Sequence, residues 1–287
     1  MNYKQLIIRE GRRRHLSPRT IHTYCFCVDK FMRWIQKDPK TVTKQDILVF
    51  LDILVEKNVS GSTLNVYHMA IRFFYTGILQ KRVTWNIKYA KTPKRLPVFL
   101  TKEEVHRLLE AINNDTHQLM IALLYGSGLR VSELTHLTKE NLDLENKTGW
   151  VRHGKGDKDR VFIIPESLID RLNVVLENKN TRDYLFRGRH GPLHVRSIQE
   201  ILKNARRKAK IEKCVHPHTL RHSFATHLVE NGTDICSIQS LLGHNSTETT
   251  MIYIHMAKPK LVNVKSPLEN IHKAAHIFSS SSREEEV

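Results

Sequence analysis

The apolar positions of the first eighty residues recur at helical spacing. Ile21, Tyr24, Val28, Phe31 and Ile35 fall three or four residues apart and mark one face of a helix. Ser17 and Pro18 precede them, a capping side chain followed by the residue suited to the first helical position. Lys37, Asp38 and Pro39 close the segment. Ile47, Phe50, Leu51, Leu54 and Val55 repeat the pattern over 43–57, and Leu64, Tyr67, Ile71, Phe74 and Ile78 repeat it over 62–79. The break between them falls at 58–61. With a short lead-in helix at 4–10, residues 1–82 read as a small all-α domain.

The period is lost over 81–100, KRVTWNIKYAKTPKRLPVFL, which carries six Lys or Arg and two prolines. This is the composition of an extended basic linker, set at 83–96. Its charge suits a strand laid across a phosphate backbone and a solvated connection about equally. The pattern resumes with Thr101 and Glu104, a capping box ahead of Val105, Leu108, Leu109 and Ile112. A largely apolar helix at 116–125 is expected in the core, stopped by Gly126, Ser127 and Gly128. A short helix follows at 131–137. Residues 150–153 and 160–164 read as two strands joined by the turn GKGDKD. Further helices are expected at 166–177, 195–209, 218–230, 233–242 and 247–256, with Asn231, Gly232 and Gly243 as C-terminal caps. This second domain spans 97–268, and the polar residues 269–287 form a flexible tail. The fold class is mainly α: a helical domain, then a mixed, mostly helical domain with a small antiparallel sheet. No internal repeat is present.

Charge narrows the function. Among 287 residues, 46 Lys and Arg face 29 Asp and Glu, a net charge of +17. Such an excess favours a polyanionic partner, nucleic acid before an anionic membrane surface. No run of ~18 apolar residues is available to span a bilayer, and the first residues lack the apolar core of a signal peptide. A cytoplasmic protein with no membrane partner is expected. Cys25, Cys27, Cys214 and Cys236 make no C-x-x-C pair and have no histidines at zinc-finger spacing, so reduced thiols are expected.

Four stretches carry candidate chemistry. In GSGLRVSE, Arg130 follows a helix stop, with Glu133 three residues on to hold it; a surface salt bridge would look the same. In HPHTLRHSFATHLVENG, His218 and Arg221 share one helix face, where a guanidinium neutralises a phosphate and an imidazole moves or holds a proton. His222 and His227 are placed elsewhere on the turn. No carboxylate or cysteine completes a metal site around these histidines. In HGKGDKDR, Lys155 sits at a hairpin tip between glycines, with Lys158 as competitor. In LLGHNSTETTMIYIH, His244 follows a helix-stopping glycine and Tyr253 lies nine residues later. A free phenol has a pKa of ~10 and is a poor nucleophile at neutral pH. Neighbouring cations that stabilise the developing charge would change that.

Taken in order, G-L-R-x-S-E, a G-K-G hairpin, H-x-x-R-H-x-x-A-T-H-L, and L-G-H followed by a tyrosine resemble the tyrosine recombinase (phage integrase) family, Xer-like members most closely. The resemblance covers almost the whole chain, and it implies a SAM-like core-binding domain ahead of a catalytic domain. It implies cutting and rejoining of double-stranded DNA through a 3′-phosphotyrosine. Arg130 and Arg221 would clamp the scissile phosphate and Lys155 would protonate the departing 5′ oxygen. His218 would serve as general base, His244 would hydrogen-bond the phosphate, and Tyr253 would attack. No cofactor, ATP or metal is implied. A tetramer on DNA is implied, of one chain or of paired recombinases, acting in chromosome partition or mobile-element integration. The linker WNIKYAKTP departs from the short Asn-Pro step of many relatives. The rivals are a type IB topoisomerase-like relaxing enzyme, a DNA-binding protein without catalysis, and a metal-dependent nuclease. The two-domain layout, the presence of all six residues, and the missing carboxylate cluster respectively argue against them.

Overall fold

The computed structural model describes residues 2–93, 96–152, 159–189, 191–243 and 250–253. The chain divides into two compact units, residues 1–95 and 96–287. The first contains α1 (Tyr3–Arg13), α2 (Pro18–Ile35), α3 (Lys44–Glu56) and α4 (Gly61–Arg72). The sequence signals act as expected at the helix starts. Ser17 Oγ accepts the Thr20 N–H at 3.1 Å, and Thr43 and Asp46 form a reciprocal capping box. Ile7, Val28, Phe31, Ile47, Ile71 and Phe74 are fully buried and fill the space between the helices.

Two details depart from the sequence pattern. The helix expected over 62–79 is regular only to Arg72 and continues as a π-helical turn, Phe73–Ile78. A regular helix turns ~100° per residue, so it seldom buries two adjacent large rings completely. Here Phe74 and Tyr75 are both fully buried, which the wider turn permits. The basic stretch after it is fastened to α4. The Asn65 amide donates to the Ala90 carbonyl at 3.0 Å and accepts from the Ala90 N–H at 2.8 Å, as a neighbouring strand would.

The second unit begins with α5 (Lys102–Glu110), α6 (Asp115–Gly126) and α7 (Val131–His136). A three-stranded antiparallel sheet follows: β1 (Leu142–Asp143), β2 (Thr148–Val151) and β3 (Arg160–Ile163), in that order. Trp150 stands opposite Val161, and Val151 opposite Arg160. Next come α8 (Ile169–Leu176), a two-stranded hairpin of β4 (Arg187–Gly188) and β5 (Gly191–Pro192), α9 (Val195–Lys208), α10 (Pro217–Glu230) and α11 (Ile235–Leu242). Residues 250–253 are helical. Six consecutive residues of α6, Leu119 to Leu124, are buried, and α10 packs against this central helix. α11 lies against both α10 and β3. This packing places the ends of α6, β3 and α11 together beside α10. Among the described residues the four cysteines are free thiols, and no helix is long and apolar enough to cross a membrane.

Candidate active site

The turn after α6 is where the site begins. Gly128 takes φ +58°, a left-handed conformation that a side chain resists, and the Phe224 ring would lie 2.4 Å from a Cβ there. The turn releases Arg130 at the start of α7. Glu133 accepts the Arg130 backbone N–H at 2.8 Å and its guanidinium Nη1 at 2.6 Å. The other arm of the arrangement comes from β3. Arg160 Nη2 donates to Glu133 Oε2 at 2.6 Å, with both side chains only 6% exposed. One carboxylate thus joins the start of a helix to the start of a strand. Burial alone would raise the Glu133 pKa; Arg160 and Arg130 together hold it below the usual range.

Arg160 Nη1 also donates to the Leu241 carbonyl, and Arg130 Nη2 reaches the Leu242 and Gly243 carbonyls at 3.5 Å. From α10, Arg221 Nη1 donates to the Gly128 carbonyl at 2.6 Å and Nη2 to the Leu242 carbonyl. The last carbonyls of a helix have no partner within it and carry the negative end of its dipole. Three guanidiniums therefore cap the end of α11. Gly243 closes that helix at φ +59°.

The ring of Tyr253 is 2% exposed and packs with Phe224, Ala225, Ile238 and Leu242. Its hydroxyl lies 3.0 Å from His222 Nδ1. Burial raises the phenol pKa above its ordinary value, and Arg221 and Arg130 pull the other way without reversing it. Burial, Arg130 and Arg160 bring the Arg221 pKa down to about 9, so it remains a cation at neutral pH. His218 is exposed as a residue, yet partial desolvation of its ring, then Arg221 and Arg130, lower its pKa. Beside Arg130, a cleft of about 760 Å³ opens between Ser132, His136, Trp150, Arg152 and Tyr184. Among the described residues, no group of three or more His, Cys, Asp or Glu side chains could hold a metal ion.

The phage integrase family pattern matches residues 98–260 of this chain, and the phage integrase N-terminal SAM-like domain matches residues 5–85. The chain belongs to the phage integrase family. Tyrosine recombinase XerA of Thermococcus kodakarensis is 38% identical over 264 residues, covering 90% of this chain and 92% of that protein. Tyrosine recombinase XerD of Oceanobacillus iheyensis is 34% identical and covers 86% and 91%. The crystal structure of XerA recombinase aligns at 33% identity and a TM-score of 0.51, over 95% of this chain and 97% of that one. The pre-cleavage complex of XerH site-specific recombinase with its difH substrate shares the fold. Its TM-score is 0.70 at 24% identity, over 95% and 84% of the two chains. The protein is a Xer-like tyrosine recombinase, an enzyme of site-specific DNA recombination.

Of the six residues singled out in this recombinase by sequence, the structure brings four together. Arg130 and Arg221 meet on the Leu242 carbonyl, and both act electrostatically on His218 and Tyr253. Lys155 and His244 lie outside the described residues, as does the competitor Lys158. Two neighbours went unrecognised. Arg160 lies 27 residues from Glu133, too far for any helical spacing to connect them. The sequence pattern places His222 elsewhere on the turn, yet at four residues from His218 it stands one turn along on the same side of α10.

Proposed function

We propose that this recombinase cuts and rejoins double-stranded DNA through a covalent 3′-phosphotyrosine on Tyr253. The Tyr253 oxygen attacks phosphorus and the bond to the 5′ oxygen breaks. The phenol proton goes to His218, and the departing 5′ oxygen takes a proton from Lys155. The products are a 3′-phosphotyrosine and a free 5′-hydroxyl. Attack by a 5′-hydroxyl from another strand reverses the step, so bond energy is retained and no ATP is needed. Arg130 and Arg221 hold the non-bridging oxygens, and His244 adds a hydrogen bond to them.

The observation that carries this reading is electrostatic. Arg130 and Arg160 both pair with the Glu133 carboxylate and Arg221 feels its charge, so these four side chains carry a net charge of +2, and Arg221 and Arg130 act electrostatically on the Tyr253 phenol. A singly charged phosphodiester becomes doubly charged as it takes on a fifth oxygen, so the site fits the transition state better than the ground state. The domains we assign are a DNA clamp at 1–82, a linker at 83–96, the catalytic domain at 97–268 and a tail at 269–287. The XerH complex with difH supports duplex DNA as the partner. We assign a tetramer on that DNA, of this chain alone or paired with a second recombinase, in the cytoplasm.

The test is incubation with a nicked suicide substrate followed by denaturing electrophoresis. Wild type should form a slow-migrating covalent band, and Tyr253→Phe should bind DNA but form none. A band that persists in Tyr253→Phe overturns the assignment. The same assay separates the hairpin lysines: Lys155→Ala should slow cleavage far more than binding, and if Lys158→Ala does so instead, the proton donor is Lys158.

A further inference from the structure

α10 carries a third polar group beside His218 and Arg221, and it touches the nucleophile directly. His222 Nδ1 is 3.0 Å from the Tyr253 hydroxyl, and the two rings lie 5.7 Å apart with planes tilted by 46°. We propose that His222 is a positioning residue for the attack: its Nδ1 accepts the Tyr253 hydroxyl hydrogen and so sets the direction of that hydroxyl beside Arg130 and Arg221. The inference rests on reading Tyr253 as the nucleophile.

The chemistry of both partners favours this direction of donation. Burial first, then His218 and Arg221, lower the His222 pKa to about 4. At neutral pH the ring is therefore uncharged and offers a lone pair on one nitrogen. The charged or titratable groups around it are His218 and Arg221 on α10 and Tyr253 on the last described segment, with Arg130 acting on the same phenol from the start of α7. Among the described residues, none of the groups acting on His222 is an anion that would hold a proton on it.

Magnitude decides what the contact does. The phenol titrates above its ordinary value near 10 and the imidazole near 4. Full transfer of the proton from the phenol to the imidazole is therefore strongly unfavourable. His222 holds the O–H in the DNA-free enzyme and does not remove its proton; the O–H turns from His222 to His218 as the attack begins, and His218 takes the proton. Fixing the approach of a nucleophile is a recognised source of rate, because misaligned orientations no longer compete. The Tyr253 ring packs with Phe224, Ala225, Ile238 and Leu242, and its hydroxyl meets His222 Nδ1.

The test uses the full-length protein. In wild type, ring ¹⁵N shifts of His222 should show a bare Nδ1 and a protonated Nε2. A protonated Nδ1 overturns the proposal whatever the variants do. His222→Phe keeps a ring but lacks an acceptor: it should bind DNA within about twofold of wild type and form the covalent adduct about tenfold more slowly. His222→Gln restores an acceptor and should recover most of that loss. The ¹³Cζ signal of Tyr253 should move in His222→Phe and return towards wild type in His222→Gln, which a role confined to packing does not predict. An adduct rate in His222→Phe equal to or above wild type, or no recovery in His222→Gln, overturns the proposal. Tyr253→Phe run alongside keeps the two readings apart. Adduct that needs Tyr253 but ignores His222 defeats only the positioning role; adduct without Tyr253 defeats the nucleophile assignment itself.

Discussion

Glu133 is the residue that ties the guanidinium cluster together. Its carboxylate is nearly inaccessible and neutralises part of a three-guanidinium cluster. Glu133→Gln preserves shape but removes the charge, leaving Arg130 and Arg160 as like charges at close range. Removing one partner of a buried pair costs about 3–5 kcal/mol. The variant should therefore melt well below wild type, and its surviving folded fraction should form adduct more slowly; a melting curve that overlays wild type would contradict this. The pH dependence has the same origin. The folded pKa of Glu133 lies below its unfolded value, so its contribution is complete above that unfolded value, ~4.3, and is lost as pH falls through the folded one. The wild-type melting temperature should fall over that acid range more steeply than that of Glu133→Gln. The Arg130–Glu133 pair was legible in the sequence because three residues on a helix is a contact distance. The Arg160 arm was not, because only the pairing of β2 with β3 brings it there.

At the scale of the element, the end of α11 is the feature to disturb. Its terminal carbonyls receive Arg130, Arg160 and Arg221, and Gly243 closes the helix at positive φ. A Cβ at Gly243 would stand 2.7 Å from Arg160 Cδ, whereas one at Gly232, φ +86°, would meet nothing within 4 Å. Gly243→Ala and Gly232→Ala thus share a left-handed backbone penalty of about 1–2 kcal/mol, but only the first displaces Arg160. Both should lower the melting temperature, and Gly243→Ala alone should also slow adduct formation; equal adduct rates would mean that Arg160 is not coupled to the site. Both capping glycines were legible from sequence, as were the long amphipathic helices. The π-helical turn and the two-residue strands were not. A strand that short has no period to read, and a π turn changes the period that the reading relies on. The Tyr253 ring is packed as a core aromatic, with its hydroxyl 3.0 Å from His222 Nδ1.

At the scale of the whole molecule, binding and chemistry should separate under salt. The net charge is +17, and 46 basic side chains are distributed over both units. Arg130 and Arg221, the two arginines proposed to hold the scissile phosphate, are two of them. A protein that neutralises ~6–10 phosphates releases their counterions and loses about 10³–10⁵ in affinity between 50 and 200 mM salt. The recombinase should fall in that range when binding is followed by fluorescence anisotropy on a duplex carrying its site. Arg130→Ala removes one phosphate contact, so it should change the log–log salt slope by about one while abolishing adduct formation. A wild-type slope shallower than about −3 would mean that fewer than about four phosphates are engaged. The basic excess would then serve something other than a duplex backbone. A shift of several units in Arg130→Ala would mean that this arginine organises the DNA interface at large, and its burial against Glu133 argues that it does not.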